Sequence, residues 1–208
     1  MSRCVIICAS PYNQPEFIKN SISPNDYIIC ADGGFDTALK AGIIPHLIIG
    51  DFDSSKIVDN HNCKKVVLPT EKDDTDSVYC VRYAINHGYS EFLILGATGG
   101  RVDHMYANFS ILKYICNQGC QGVVKDELTD IYYTETTLTI NEKGKTVSVL
   151  PFGCENAVVT LKGFKYPAKM LSMQSDFPIG ISNIALENTS TITVHNGGVL
   201  VMINKEGI

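Results

Sequence analysis

The chain has 208 residues and a mass of 22.8 kDa, which suffices for one large domain or two small ones. Apolar residues make up 45% of the sequence and charged residues 19%, a balance that excludes intrinsic disorder as the main state. Seventeen Lys and Arg against 22 Asp and Glu give a net charge of −5 without any run of basic residues, which argues against nucleic acid as a partner.

The sequence carries no sign of export or of membrane insertion. No apolar run approaches the roughly 18 residues that span a bilayer, and the apolar segment around Cys4 is too short for a signal peptide. We therefore expect a cytoplasmic protein with no membrane partner. In that compartment the eight cysteines stay reduced, and no pair has the C-x-x-C spacing typical of zinc or redox sites.

The first part of the chain, residues 1–125, alternates short β-branched segments with helical patterns. This alternation predicts an α/β domain built on a parallel, doubly wound sheet. The predicted strands cover residues 4–9, 27–31, 47–50, 65–68, 92–95 and 122–124.

Two helices of this part have clear boundaries in the sequence. The first begins with Asp74 or Thr75 as its cap and ends at Gly88, and the second covers residues 103–118 and ends at Gly119. The apolar face predicted for the second helix consists of Met105, Phe109, Leu112 and Cys116.

The rest of the chain, residues 126–208, lacks the helical period and consists of short alternating segments separated by Gly, Asn and Pro. This pattern predicts an antiparallel β-sandwich or small barrel, with hairpin turns at residues 141–144 and 196–198. We therefore predict two domains with a boundary near Asp126. The predicted strands cover residues 131–134, 137–140, 146–150, 157–161, 191–194 and 199–203.

Acidic residues follow four consecutive predicted strands of the first domain. Because parallel strands end at one edge of the sheet, where doubly wound folds bind ligands, we expect these side chains to lie close together. Clustered carboxylates repel one another and are normally neutralised by a divalent cation, and oxygen ligands favour Mg²⁺. The acidic segments contain Asp32, Asp51 with Asp53, residues 71–76, and Asp103.

Asp51, Asp53 and Asp76 are the strongest metal-ligand candidates. Asp51 and Asp53 alternate, so in an extended segment both side chains project from the same side. Asp74 is equally suited to capping the helix that follows it.

Glycine-rich segments at residues 33–34 and 96–100 allow the backbone to approach a phosphate closely, and Arg101 and Lys72 supply cationic donors next to them. The sequence contains neither a complete P-loop nor a G-x-G-x-x-G segment. Among the histidines, only His104 lies within the acidic segments, where it is either a helix residue or a catalytic one.

Six segments, in order along the chain, closely resemble the thiamine pyrophosphokinase family. They read ADGG at residues 31–34, GIIP at 42–45, GDFDS at 50–54, EKDDTD at 71–76, GGRVDH at 99–104 and GISN at 180–183. The resemblance implies an α/β ATP- and Mg²⁺-binding catalytic domain followed by a β-sandwich that binds thiamine. It also implies an enzyme that transfers the diphosphate of ATP to the hydroxyl of thiamine, yielding thiamine diphosphate and AMP.

The resemblance further implies roles for individual residues. The implied metal ligands are Asp51, Asp53 and Asp76, and these three together with Arg101 and Asp103 form the implied catalytic set. The implied ATP-binding residues are Asp32, Gly33, Lys72, Thr75, Gly99 and Arg101. Ser182 and Asn183 resemble the segment that contacts thiamine, and the family's site is completed across a homodimer interface. Because the chain lacks Trp, an aromatic contact to thiamine falls to Tyr or Phe, with Tyr166 as a candidate.

Three alternatives remain open on the sequence alone. A related diphosphokinase acting on another hydroxymethyl heterocycle, such as a pterin, shares the Asp cluster. Residues 47–55 also resemble the strand and D-x-D motif of phosphatases with an aspartyl nucleophile, which release phosphate without thiamine. A non-enzymatic cation-binding module predicts metal binding without nucleotide binding.

Overall fold

The structure is a computed structural model that describes residues 3–12, 14–51, 63–69 and 74–205. It divides into two compact units, of which the first ends at Glu127 and the second begins at Leu128. Among the described residues, no helix is both long enough and apolar enough to cross a membrane.

The first unit is a parallel sheet in the strand order β6-β5-β1-β2-β3-β4. Its elements are β1 (Cys4–Ile7), α1 (Pro15–Ser21), β2 (Tyr27–Ala31), α2 (Gly34–Lys40), β3 (Leu47–Gly50), β4 (Lys64–Val67), α3 (Asp76–Asn86), β5 (Glu91–Leu95), α4 (Val102–Asn117) and β6 (Gln121–Lys125). The chain adds β2 to β4 on one side of β1 and then returns to add β5 and β6 on the other side. This reversal is the defining feature of a doubly wound sheet, so the predicted fold of this part is confirmed.

Every residue of the short apolar strands β1 and β3 is buried, so these strands form part of the core of the first unit. Val5 and Ile7 of β1 pack in one cluster with Ile18 of α1 and Phe35 of α2. Strands that are apolar on both faces are typical of parallel sheets covered by helices.

The predicted start and end of α3 are confirmed. Thr75, rather than Asp74, is the cap, since its Oγ1 accepts a hydrogen bond from the backbone N–H of Val78 at 3.4 Å. Gly88 follows the helix with a φ of +85°, the left-handed conformation that glycine adopts most easily.

The bounds predicted for α4 are correct to within a residue, but the predicted buried face is wrong. The residues that α4 buries are Asn108, Ile111, Leu112 and Ile115. Met105, Phe109 and Cys116 are only partly buried. The first residue of the buried stripe is the polar Asn108, so hydrophobic periodicity places the face one residue away.

Helices α1 and α2 were not predicted in detail, because seven residues are too few for a periodic pattern. The local signals are nevertheless present. Pro15 stands in the first turn of α1, and Gly33 precedes α2.

The second unit contains two antiparallel sheets, ordered β12-β9-β14-β7 and β11-β10-β13-β8. Its strands are β7 (Thr129–Thr134), β8 (Thr137–Ile140), β9 (Thr146–Pro151), β10 (Asn156–Lys162), β11 (Ala168–Gln174), β12 (Asn183–Ile184), β13 (Ser190–Asn196) and β14 (Val199–Asn204). Alternate residues of both sheets share one core, which includes Val147 and Val201 from the first sheet and Val159 and Ile192 from the second. The unit is therefore a β-sandwich, as predicted.

The prediction of hairpins at residues 141–144 and 196–198 is wrong. In each case the strand before the turn lies in one sheet and the strand after it lies in the other. Gly144 and Gly197 have the left-handed φ that a tight turn requires, but turn chemistry does not determine which strand becomes the partner. A hairpin is formed instead by β10 and β11 in the sheet ordered β11-β10-β13-β8. Strand β11 was not predicted.

The packing of α2 against β1 depends on Gly34. A Cβ at this position would lie 2.0 Å from the carbonyl oxygen of Ile7, which is part of the sheet backbone. We expect Gly34→Ala to destabilise the protein by about 3 kcal/mol, measured as a lower urea midpoint. Gly33→Ala is the matched control, because its Cβ would meet only the Ala9 side chain, at 3.2 Å. Equal midpoints for the two variants would contradict this account.

Candidate active site

The first unit contains a cavity of about 560 Å³ at the carboxyl ends of its central strands. Its walls come from the segments around the ends of β1, β2 and β5, from the first turn of α3 and from the first two turns of α4. The lining residues lie at positions 8–11, 31–32, 75–77, 96–97, 99–101, 104–105 and 108. The cavity therefore lies where the strand order reverses between β1 and β5, the usual ligand site of a doubly wound sheet.

Two of the predicted acidic residues, Asp32 and Asp76, line this cavity. Asp32 has a φ of +41°, and its backbone N–H donates to the carbonyl of Ile49 at 2.8 Å. Its Oδ1 lies 3.0 Å from the position that a Cβ on Gly50 would occupy. Asp32 is thus close to the end of β3, where Asp51 follows directly.

The other predicted metal ligands have different positions. Asp51 is half-buried and is not among the described residues that line the cavity, and Asp53 lies outside the described residues. Within residues 3–12, 14–51, 63–69 and 74–205, no three His, Cys, Asp or Glu side chains are grouped closely enough to hold a metal ion. Assignment of Asp51, Asp53 and Asp76 to one site therefore remains a prediction.

Asp76 also affects a thiol at the cavity wall. Burial, with a smaller contribution from the nearby negative charge of Asp76, raises the pKa of Cys8 to about 12. The thiol is neutral at physiological pH, so Cys8 adds no charge to the acidic side of the cavity.

The glycine-rich segment after β5 has the conformation that its sequence predicts. Gly99 and Gly100 have φ values of +76° and +66°. A Cβ on Gly99 would lie 2.7 Å from the Tyr12 ring, and one on Gly100 would lie 3.1 Å from the Pro11 ring. Both glycines are therefore required by conformation and by close packing. Gly33 precedes α2 and is not among the described residues that line the cavity.

Arg101 lines the cavity and pairs with Asp103 through two hydrogen bonds. The guanidinium Nε donates to Asp103 Oδ1 at 3.1 Å, and one terminal nitrogen donates to Oδ2 at 2.6 Å. These bonds hold the pKa of Asp103 down at about 2 and raise that of Arg101. Both side chains are largely exposed, so the pair contributes little to stability and its arginine remains accessible to a ligand.

Sequence reasoning found Thr75, which caps α3 and lines the cavity, but it missed Ser10, Pro11 and Asn108. The missed residues carry no charge, and Asn108 lies within an apolar helix. The predicted phosphate contact Lys72 lies outside the described residues.

Ser182 and Asn183 belong to the second unit, where Asn183 is buried and Ser182 is exposed. Asn183 Nδ2 donates to the carbonyl of Tyr166 at 2.8 Å. Its Oδ1 accepts from the backbone N–H of Tyr166 at 3.0 Å and from that of Ile184 at 2.9 Å. The amide thus holds the backbone at Tyr166, whose ring is 61% exposed and lies 5.5 Å from Lys165 Nζ.

A ligand site at a switch point that combines carboxylates with a glycine segment and an arginine defines a class of α/β protein suited to a phosphorylated ligand. Residues 18–124 match the family model of the thiamin pyrophosphokinase catalytic domain, and residues 135–199 match that of its vitamin B1 binding domain. The chain therefore belongs to the thiamin pyrophosphokinase family.

Individual relatives agree with the family assignment. The chain is 29% identical to the thiamine pyrophosphokinase of Bacillus subtilis over 95% of this chain and 96% of that protein. It is 26% identical to thiamin pyrophosphokinase 1 of Caenorhabditis elegans, over 86% and 82% of the two chains. A solved Bacillus subtilis thiamine pyrophosphokinase has a TM-score of 0.87 at 25% identity, covering 99% of this chain and 100% of that one. The predicted family and enzyme class are confirmed.

The pair of Arg101 and Asp103 predicts an acid titration that can be observed directly. We expect the Asp103 carboxyl to titrate at about 2 by carboxyl-carbon NMR and to shift upward in Arg101→Gln, because both hydrogen bonds are lost. The folded-state pKa lies below that of the unfolded chain, so the pair stabilises the protein above about pH 4 and loses its contribution as the pH falls to 2. Arg82→Gln, which breaks the separate pair with Asp74, is the control. An unchanged titration midpoint of the Asp103 carboxyl in Arg101→Gln would contradict the pairing of these two side chains.

Proposed function

We propose that this chain transfers the terminal diphosphate of ATP to the hydroxyl of thiamine and releases AMP. The observation that carries the proposal is the match to both domains of the family, in order, at residues 18–124 and 135–199. The cavity at the switch point supports the nucleotide part, because it combines a glycine segment and an arginine with carboxylates.

The carboxylates of the first unit fit a magnesium ion. Asp32 and Asp76 line one cavity, and Asp51 follows Gly50, which lies against Asp32. This donor set is made of oxygen alone, which Mg²⁺ prefers over the softer metals. We propose that Asp51, Asp53 and Asp76 hold Mg²⁺, with Asp32 close by. When bound, the ion neutralises charge on the transferring phosphates.

The side chains around the cavity then act mainly by positioning. Arg101 donates to phosphate oxygens, while Asp103 orients the guanidinium at the mouth of the cavity through two hydrogen bonds. The other proposed phosphate contacts are Thr75 and Gly99, which line the cavity, together with Gly33 near the start of α2 and Lys72. The thiamine hydroxyl attacks the β-phosphorus in line with the departing AMP, and one carboxylate of the cluster takes its proton.

The thiamine side of the proposal rests on the second unit. Ser182 and Asn183 form the proposed thiamine-binding segment, and the exposed ring of Tyr166 is the candidate aromatic contact. The three hydrogen bonds of Asn183 support an effect through the backbone of Tyr166.

We also propose that the protein is a cytoplasmic homodimer. Exposed apolar side chains of the second unit support the dimer, since a second copy would remove them from water. These side chains are Phe177, Ile179, Ile181 and Leu186. All eight cysteines are free thiols, which is consistent with a reducing compartment. Light scattering of the purified protein tests the dimer.

The experiment that tests the function measures AMP and thiamine diphosphate from ATP and Mg²⁺, with and without thiamine. We expect equal amounts of the two products, and only when both thiamine and Mg²⁺ are present. AMP formation with a pterin alcohol but not with thiamine would show that the pterin, rather than thiamine, accepts the diphosphate. Release of phosphate without any acceptor would favour the phosphatase alternative.

The proposed metal role of Asp76 predicts a large loss of turnover in Asp76→Asn. The substitution keeps the shape of the side chain and removes one ligand charge, so we expect kcat to fall on the order of 100-fold or more. Asp74→Asn is the matched control, because Asp74 lies two residues away and pairs with Arg82 at the surface. Retention of near-normal turnover by Asp76→Asn over a range of Mg²⁺ concentrations would contradict the metal role.

The proposed role of Asn183 predicts a specific effect on thiamine. Loss of its amide in Asn183→Ala frees the backbone at Tyr166, so we expect the KM for thiamine to rise about tenfold, with little change in the KM for ATP. Asn204→Ala is the control, since that Asn lies in the same unit and accepts a single side-chain hydrogen bond from Thr129. An equal rise in both KM values, or none, would contradict the proposed role.

A further inference from the structure

Asn108 is a buried polar residue at the centre of α4. The other residues that this helix buries are Ile111, Leu112 and Ile115, so an apolar side chain would be expected at position 108. The Asn108 side chain is instead hydrogen-bonded through both its nitrogen and its oxygen at the wall of the cavity. Its Nδ2 donates to the carbonyl of Ala97 at 2.9 Å, and its Oδ1 accepts from Ser77 Oγ at 3.2 Å.

One end of this amide leads to the start of α3. The hydroxyl of Ser77 lies 3.2 Å from that of Thr75, which caps the helix by accepting from the backbone N–H of Val78. Asp76 stands between Ser77 and Thr75 in the chain, so both of its neighbours belong to this hydrogen-bond network. Asn108 therefore restrains the turn that carries Asp76.

The other end of the amide leads to the glycine segment after β5. Three consecutive residues of that segment are held by hydrogen bonds. The carbonyl of Gly96 accepts from the N–H of Ser10 at 3.1 Å, that of Ala97 accepts from Asn108, and Thr98 Oγ1 donates to Asp126 at 2.9 Å. The two glycines that follow have left-handed backbones and lead directly to Arg101.

The hydrogen-bonding groups around position 108 suit the amide of Asn better than an Ala or an Asp side chain. Ala97 is 3% exposed, so without Asn108 its carbonyl loses a donor in a place that water barely reaches. An Asp would keep the acceptor for Ser77 but would direct an oxygen toward the Ala97 carbonyl and add a negative charge near Asp76.

We propose that Asn108 is a positioning residue that fixes the turn carrying Asp76 relative to the segment carrying Arg101. The proposal rests on the proposed function, in which Asp76 binds the metal ion and Arg101 donates to phosphate oxygens of the same substrate. Asn108 acts through these two groups, by setting the separation of the two cavity walls. A small displacement between groups that bind one transition state is costly to the rate.

The test compares Asn108→Ala, Asn108→Asp and Ser77→Ala with Asn117→Ala, which removes an exposed Asn from the end of the same helix. Steady-state assays give kcat and the KM values for ATP and thiamine. Hydrogen exchange of the amides at residues 98–101 reports the order of the glycine segment without depending on activity.

We expect kcat to fall between tenfold and about 100-fold in Asn108→Ala and Asn108→Asp, with a smaller fall in Ser77→Ala and none in Asn117→Ala. The double variant with Ser77→Ala should be no worse than Asn108→Ala alone, because both lie in one network. The amides at 98–101 should exchange faster in the Asn108 variants only.

Wild-type kcat and wild-type exchange in Asn108→Ala would overturn the proposal, as would a fall in kcat of the same size in Asn117→Ala. If Asn108→Ala does not fold, the comparison of Ser77→Ala with Asn117→Ala decides, since an unchanged kcat in Ser77→Ala removes the link to Asp76. A wild-type protein that forms no AMP overturns the proposed function instead. The exchange data then still support the link to the glycine segment if only the Asn108 variants lose protection.

Discussion

The reversal of strand order between β1 and β5 is the constraint on which the site of the first unit depends. Helices that follow β1 and β5 run to opposite sides of this point, so the segments after the two strands separate and leave a cavity between them. Both segments must therefore keep their shape without strand pairing. Bonds between backbone groups, such as that from Ser10 to Gly96, and the two left-handed glycines provide that shape.

Side chains of both charge signs line this cavity. Asp32 follows β2 and Asp76 begins α3, whereas Arg101 follows the glycine segment and already has a carboxylate partner in Asp103. A ligand with both metal-bound and free phosphate oxygens is complementary to this set of side chains, because it contacts the carboxylates through a cation and the arginine directly. The family assignment and the electrostatics of the cavity therefore agree, although they rest on different observations.

Local chemistry in the sequence predicted the elements well, and long-range partners poorly. The cap at Thr75 and the stop at Gly88 follow from side-chain oxygen and glycine preferences within one helical turn. The turns at 141–144 and 196–198 were placed correctly but assigned the wrong partners, because pairing depends on which sheet receives the next strand. Asn108 was missed for a related reason, since its side chain forms hydrogen bonds with residues that lie 11 and 31 positions away in the chain.

Cys8 gives the cavity an unusual chemical property. Cys8 is among the residues that line the cavity, yet its thiol is buried, and that burial raises its pKa to about 12. Alkylating agents and peroxides react with the thiolate, so burial protects this cysteine both by keeping it protonated and by limiting its contact with solvent. A protein rich in thiols can thus keep one beside a ligand cavity in its less reactive, protonated form.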